Sequence, residues 1–245
     1  MKKVLIIGNG MMGNSLKQAL EKVGKYEVYV TNDVDLFQVY NFDVVFNCTG
    51  QVFSYQRIED LGDGKVKMID ISSFQHKQYE NNGLYSFQDV IFCHPLCGSE
   101  KSGRENAKAD LFENETCIIT TEGKGQELID LAIEIFNDIG MIVHLCGTVE
   151  EHNKNLAYTS HLLHYLAFNG FADLHPVLTR LSHSNKEMWE GIFKANKKNI
   201  DEALLKFTYN LALCFHNQGI QASIRELVKD IPEHFYGTAL KQLLK

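Results

Sequence analysis

Residues 2–13 read K-K-V-L-I-I-G-N-G-M-M-G, from Lys2 to Gly13, and their order decides the fold. Val4, Leu5, Ile6 and Ile7 form a short apolar run, the pattern of a strand buried on both faces. Gly8, Gly10 and Gly13 follow without a gap, and Leu16, Ala19, Leu20 and Val23 then recur at helical spacing. Glycines spaced G-x-G-x-x-G between a strand and a helix make a turn that cradles a pyrophosphate. Gly8 permits the tight turn, Gly10 lets the backbone approach the phosphates, and Gly13 lets the helix pack closely on the strand. The open N–H groups of the helix N-terminus then point at the anion. Gly8, Asn9, Gly10, Met11, Met12 and Gly13 are therefore the expected cofactor loop.

Working outward, Glu27 to Thr31 reads as a second strand that ends at Asn32-Asp33. An acid near this point accepts hydrogen bonds from a ribose 2′-OH, and counting does not decide between Asn32 and Asp33. No Arg or Lys sits there to hold a 2′-phosphate, which favours NAD without excluding NADP. Val34 to Asn41 leaves room for only a short second helix. Further strands are expected over Asp43–Phe46, Lys65–Ile69, Val90–Cys93, Cys117–Thr121 and Met141–Leu145, with a helix over Gln126–Ile139. Strand and crossover alternate, so the fold class is α/β, a doubly wound, mostly parallel sheet of the Rossmann type. In such sheets ligands bind beyond the carboxyl ends of the strands. Thr49, Asp70, Ser73 and His94 all fall at such ends. Thr49 and Asp70 are placed on the cofactor side.

From Thr148 onward the β-branched runs stop and helical periodicity takes over. We expect a dinucleotide-binding domain over 1–147 and an all-helical domain over 148–245. Ser184-Asn185-Lys186-Glu187 reads as a capping box that opens a helix. Trp189, Ile192, Phe193, Ile200, Leu204, Phe207 and Leu211 then form an apolar stripe suited to a core or a subunit interface. His161 and His164 lie three apart on one helical face. They lack the i, i+4 spacing of a helical metal site, so polar lining is preferred to metal ligation and no metal is expected.

The segment from Phe92 to Glu115, F-C-H-P-L-C-G-S-E-K-S-G-R-E-N-A-K-A-D-L-F-E-N-E, concentrates polar chemistry after an apolar strand. Pro95 disfavours helical backbone at His94. A histidine at a strand end before a polar, glycine-punctuated loop suits proton handling. The six cysteines include no CxxC pair, and Cys93 and Cys97 lack a matching second pair for zinc, so reduced thiols in a cytoplasmic protein are expected. A net charge of -7 argues against a nucleic-acid surface. Met1-Lys2-Lys3 and the apolar run mimic a signal peptide, but the run stops at the glycine loop, so neither a leader nor a membrane span is expected. Four arginines, Arg57, Arg104, Arg180 and Arg225, are the candidates for bidentate carboxylate binding.

With these residues in place, the chain resembles the prephenate/arogenate dehydrogenase family of tyrosine biosynthesis over most of its length up to about Ile200. Beyond the glycine loop the resemblance rests on Asp70-Ile71-Ser72-Ser73 and on His94-Pro95-Leu96-Cys97-Gly98-Ser99-Glu100-x-Ser102-Gly103 with Ala109-Asp110-Leu111-Phe112-Glu113-Asn114. It continues in Glu151-His152-Asn153, Ser160-His161-Leu162-Leu163-His164, Thr179-Arg180-Leu181 and Met188-Trp189-x-x-Ile192-Phe193-x-x-Asn196. Gln75 stands where the family usually has lysine, Leu163 where it has proline and Asn153 where it has aspartate.

The resemblance implies oxidative decarboxylation of prephenate to 4-hydroxyphenylpyruvate with NAD. His94 would accept a hydrogen bond from the ring hydroxyl, Ser73 would hold that hydroxyl and position His94, and Arg180 would clamp a carboxylate. His161, His164 and Trp189 would line the substrate pocket, and Glu100 would gate it. A homodimer through the helical domain is expected. The alternatives are an arogenate dehydrogenase forming tyrosine directly, another NAD(P) reductase of this fold acting on a small acid or imine, and a non-catalytic nucleotide-binding module.

Overall fold

The structure, a computed structural model, describes residues 1–32, 41–50, 67–75, 90–98, 101, 103–214, 219–236 and 238–244. Asp33, Glu100 and the expected short second helix lie outside the described residues. The chain forms two compact units, one made of Met1–Gly98 with Ser102–Val149, the other dominated by Glu150–Lys245.

The first unit is built on seven strands: β1 (Lys2–Ile7), β2 (Tyr26–Thr31), β3 (Val44–Asn47), β4 (Met68–Asp70), β5 (Val90–Pro95), β6 (Thr116–Thr120) and β7 (Ile142–Cys146). They lie in the order β2-β1-β3-β4-β5-β6-β7. All neighbours run parallel except β5 and β6. That exception departs from a crossover at every step. Among the described residues the β5–β6 connection holds one short 3-10 turn, Arg104–Asn106, and no α-helix of the kind that usually carries a parallel crossover.

One rung runs across the whole sheet: Thr31, Ile7, Asn47, Asp70, Phe92, Thr120 and Cys146 are successive register partners. In β2, β1, β3 and β4 it is the last residue of the strand, while β5 runs on to Pro95, so the residues just past the rung share one end of the sheet. Both faces of the central strands are buried. Val4, Ile6, Phe46, Ile69 and Ile91 pack with Leu16, Ala19 and Leu20 of α1 (Met11–Val23) and with Ala132, Ile135 and Phe136 of α2 (Gln126–Asp138). Leu5, Ile7, Val45 and Met68, on the opposite face, are also buried, which explains the unbroken apolar runs.

β5 extends past Cys93 to include His94 and Pro95, which pair with Ile118 and Cys117. The Leu96 N–H donates to the Thr116 carbonyl at 2.7 Å, so the antiparallel ladder continues beyond the proline. In that alternating ladder Pro95 occupies a position where no donor is required by β6.

The second unit is helical. α3 (Val149–Leu156) runs into a π-helical turn (Ala157–His161) and α4 (Leu162–Leu166). A second π-type turn, Ala167–Phe171, breaks at Asn169 and at Gly170, whose φ of 92° favours glycine. α5 (Pro176–Leu181), α6 (Lys186–Ala195), α7 (Lys197–Cys214), α8 (Gly219–Val228) and α9 (Thr238–Leu243) follow. Leu162, Leu166, Leu178, Ile200, Ala203, Phe207, Ile224 and Leu227 close the core. The apolar stripe that starts at Trp189 is shared between two helices, with Asn196 at the break between α6 and α7. The α6 cap is also shifted by one residue: Asn185, not Ser184, accepts the Met188 N–H at 2.9 Å, so the Ser184–Glu187 capping box does not form.

Among the described residues no helix is long and apolar enough to cross a membrane.

Candidate active site

At the carboxyl edge of the first unit, the glycine loop is shaped by contacts that exclude side chains. Gly8 has a φ of 118°, and a Cβ there would meet the Cys48 backbone at 2.9 Å, so the β1 loop lies directly against the end of β3. A Cβ on Gly13 would overlap the Gly8 carbonyl oxygen, while one on Gly10 would meet nothing within 4 Å. The close packing is therefore at Gly8 and Gly13, and Gly10 leaves open space. Gly10 caps α1 with no side-chain bond and no acid in the first turn, so the helix N-terminus keeps its donors for an anion. Asn14 Nδ2 donates to Asn9 Oδ1 and to the Gly10 carbonyl, both at 2.8 Å, which stiffens the loop. Met11 and Met12 form the first turn of α1. These features fit a bound dinucleotide pyrophosphate.

Asn32, exposed at the end of β2, accepts the Asn9 N–H at 2.7 Å. Of the two candidate ribose readers it is the one within the described residues, and it is neutral. At the next strand ends, Asn47 is fully buried and ties neighbours together. Its Nδ2 donates to Asp70 Oδ2 at 3.1 Å, and its Oδ1 accepts the Thr49 N–H at 3.1 Å and the Thr49 hydroxyl at 2.7 Å. Asp70 Oδ1 accepts the Ser72 N–H at 2.6 Å. Asp70 thus braces the loop that carries Ser73 through Oδ1 and ties it to the end of β3 through Oδ2. Burial pushes the Cys48 thiol up, with the Asp70 charge adding to it, so it is no nucleophile at neutral pH.

Ser73, half-buried, leaves β4 three residues past Asp70; His94, 9% exposed, lies two past Phe92, the register partner of Asp70. The two stand at the ends of adjacent strands. Gln75, where lysine was the expected family residue, is buried and accepts the Thr120 hydroxyl at 2.7 Å. A neutral amide spares this position a desolvated ammonium. The thiols of Cys93 and Cys117 are pushed up by burial, and Cys97 to about 12. Among the described residues no group of three or more His, Cys, Asp or Glu is placed to hold a metal ion.

In the second unit four of the expected pocket residues come together. Trp189 of α6 stacks on His164 with ring centroids 3.5 Å apart and meets His161 edge-on at 5.8 Å. Arg180 of α5 lies close enough for its charge to act on His164, and its Nη2 donates to Gln242 at 3.1 Å. His175 caps α5, its Nδ1 accepting the Val177 N–H at 3.2 Å. Buried Leu163 retains the backbone N–H that proline would lack.

Burial holds these imidazoles neutral. His161 is lowered to about 3, by burial first and then by His164 and His152. His164 is lowered to about 4 by burial, against a bond from its Nδ1 to the Ser160 carbonyl, with Arg180 lowering it further. His152 is lowered to about 4 by burial, partly offset by its 3.1 Å contact with Asn153 Oδ1. Uncharged Asn153, in place of aspartate, supplies no countercharge that would keep His152 protonated.

Sequence reasoning passed over Asn47, Asn14 and Asn196 as site residues. Asn47 and Asn196 share a signal, a polar side chain at a strand end or helix break where no apolar period explains it, and Asn14 lies in the first turn of α1 against the glycine loop.

A family profile described as "Prephenate dehydrogenase, nucleotide-binding domain" matches residues 5–145. The chain is 27% identical to the prephenate dehydrogenase of Lactococcus lactis subsp. cremoris (strain MG1363), over 85% of this chain and 72% of that protein. It is 29% identical to the prephenate dehydrogenase of Bacillus subtilis (strain 168), over 58% of this chain but only 41% of that protein. Its fold is similar to the crystal structure of Aquifex aeolicus prephenate dehydrogenase in complex with hydroxyphenyl propionate and NAD+, with a TM-score of 0.77, 24% identity and coverage of 94% of this chain and 95% of that one. Since the profile spans more than half of the sequence, the chain belongs to the prephenate dehydrogenase family.

Proposed function

We propose that the protein is an NAD-dependent prephenate dehydrogenase, converting prephenate to 4-hydroxyphenylpyruvate and CO2. The observation that carries this reading is the gathering of His161, His164, Arg180 and Trp189 in a chain whose other unit bears the glycine loop. Residues 1–147 serve as the cofactor domain and 148–245 as the substrate and dimerisation domain.

NAD, when bound, supplies the hydride acceptor. The chain's work is orientation and charge placement, because aromatisation of the ring supplies the driving force. The hydride leaves the ring carbon that bears the hydroxyl. The bond from the opposite ring carbon to its carboxylate breaks, and its electron pair completes the aromatic ring as CO2 departs. His94 accepts a hydrogen bond from the hydroxyl, stabilising the carbonyl character that develops there. Ser73 holds the same hydroxyl and the orientation of His94. Arg180 clamps a substrate carboxylate, His161 and His164 line the pocket with Trp189, and Glu100 gates it. Gly8, Asn9, Gly10, Met11, Met12 and Gly13 hold the pyrophosphate, and Asn32 or Asp33 reads the ribose. Thr49 and Asp70 shape the edge beside them.

The helical domain mediates a homodimer; Leu205 and Tyr209, one turn apart on α7 and 73% and 64% exposed, are the apolar side chains it would cover. The cytoplasm is the compartment that suits its free thiols.

The test is NADH absorbance with purified protein, offered NAD with prephenate, then with arogenate, then NADP in place of NAD. Turnover of prephenate with NAD is expected. Turnover of arogenate alone would transfer the assignment to arogenate dehydrogenase, and no turnover with any pair would sink the reading.

A further inference from the structure

Asn196, 2% exposed at the break between α6 and α7, is held on three sides. Its Nδ2 lies 2.8 Å from the Asn153 carbonyl oxygen and 2.9 Å from Nδ1 of His161, and its Oδ1 receives Asn199 Nδ2 at 2.8 Å. The Asn153 carbonyl can only accept, so the atom facing it is the amide nitrogen. Turning the carboxamide over would set oxygen against oxygen there and NH2 against NH2 at Asn199. An amide NH2 has no lone pair to offer, so His161 Nδ1 accepts and the neutral ring carries its proton on Nε2. His164 has the opposite assignment. Its Nδ1 lies 3.2 Å from the Ser160 carbonyl, which again only accepts, so the proton is on Nδ1 and the lone pair on Nε2. Two histidines against one indole therefore carry different chemistry at the same ring atom.

We propose that Asn196 is a positioning residue that fixes His161 as the neutral Nε2–H tautomer, making it a hydrogen-bond donor to an oxygen of the bound acid, while His164 presents an acceptor. The substrate half of this assignment rests on the prephenate dehydrogenase reading, in which His161 lines the pocket; the tautomer does not. The residue acts through His161 and touches no reacting atom.

The first measurement is the tautomer itself, read from the ¹⁵N shifts of the His161 ring in labelled wild-type protein. A pyridine-type Nδ1 and a pyrrole-type Nε2 are expected, and the reverse pattern would overturn the proposal whatever the activity. In Asn196→Asp the side chain can no longer donate, so His161 is expected to move its proton to Nδ1 or to take up a second one. KM for prephenate should then rise roughly 10- to 100-fold, the scale of one lost hydrogen bond to a charged group, with kcat less affected. In a His161→Gln background the same substitution should add little to KM. An equal cost in both backgrounds would make Asn196 purely structural and refute its role through His161. Should neither prephenate nor arogenate turn over, the functional reading and the substrate half of this proposal fail together, while the wild-type ring shifts still decide the tautomer.

Discussion

The backbone N–H of Asn9 donates to Oδ1 of Asn32 at 2.7 Å, tying the glycine loop to the end of β2. The bond does for the loop what a carboxylate at this point could also do, without bringing a charge. A carboxylate within about 4 Å of a 2′-phosphate would be repelled by about 4 kcal/mol per pair of unit charges at an effective dielectric near 20, and Asn32 imposes no such penalty.

Asn32→Asp is therefore expected to keep the loop bond and the use of NAD while lowering kcat/KM for NADP, or its affinity as an inhibitor, by roughly tenfold or more, since about 1.4 kcal/mol suffices for tenfold. The NAD-to-NADP ratio measured for both proteins checks this. An unchanged ratio would pass the discrimination to Asp33.

Gly13→Ala probes the other end of the loop. The added methyl would overlap the Gly8 carbonyl oxygen, which is backbone and cannot swing aside. Overpacking of this kind costs about 1–3 kcal/mol or more. A lower melting temperature and loss of NAD binding are expected together, by thermal unfolding and fluorescence titration. Gly10→Ala, where a Cβ meets no neighbour within 4 Å, should spare the fold and lose affinity only if the cofactor passes there. Native stability with full NAD binding in Gly13→Ala would contradict the packing account.

Much of this was legible in the order of residues because local rules acted alone. The run Val4–Ile7 and the glycines after it settled the strand, turn and helix, and the carboxyl ends of the strands placed Asp70, Ser73 and His94 at one edge. What stayed hidden depends on contacts between distant residues. The antiparallel β5–β6 pairing goes with a connection that holds no α-helix among its described residues, and no pattern within Thr116–Thr120 announces it. Asn196 and Asn47 look like ordinary polar residues until the fold surrounds them with carbonyls, amides and an imidazole. At α6, adjacent Ser184 and Asn185 were both good caps, and only the chain's path chose Asn185.

The buried histidines make stability depend on pH. His152, His161 and His164 have folded-state values lowered to about 4, 3 and 4 from an ordinary value of 6.5. Below pH 6.5 the unfolded chain binds protons that the folded chain refuses, so the stability present above 6.5 drains away as pH falls toward 4 and below. Each histidine steepens the slope by at most about 1.4 kcal/mol per pH unit. Urea midpoints at pH 7 and pH 5 should differ clearly, and His152→Gln should flatten the difference. Equal midpoints would mean that these rings titrate normally.

His94 and Arg180 should separate cleanly in kinetics, because one is assigned to the hydroxyl where charge develops and the other to holding a substrate carboxylate. His94→Asn is expected to lower kcat by roughly 10²–10⁴ with the fold intact, the usual worth of positioned acid–base help. Arg180→Ala removes a charge-assisted bond of about 1.5–3 kcal/mol, equivalent to roughly a 10- to 150-fold rise in KM, with kcat nearly kept. The guanidinium already has a resting partner in Gln242 at 3.1 Å, so Gln242→Ala should change KM far less than Arg180→Ala does. Steady-state kinetics with prephenate measures all three. A kcat effect at Arg180 and a KM effect at His94 would exchange the two roles, since a group that binds only the ground state cannot slow the chemical step by its loss.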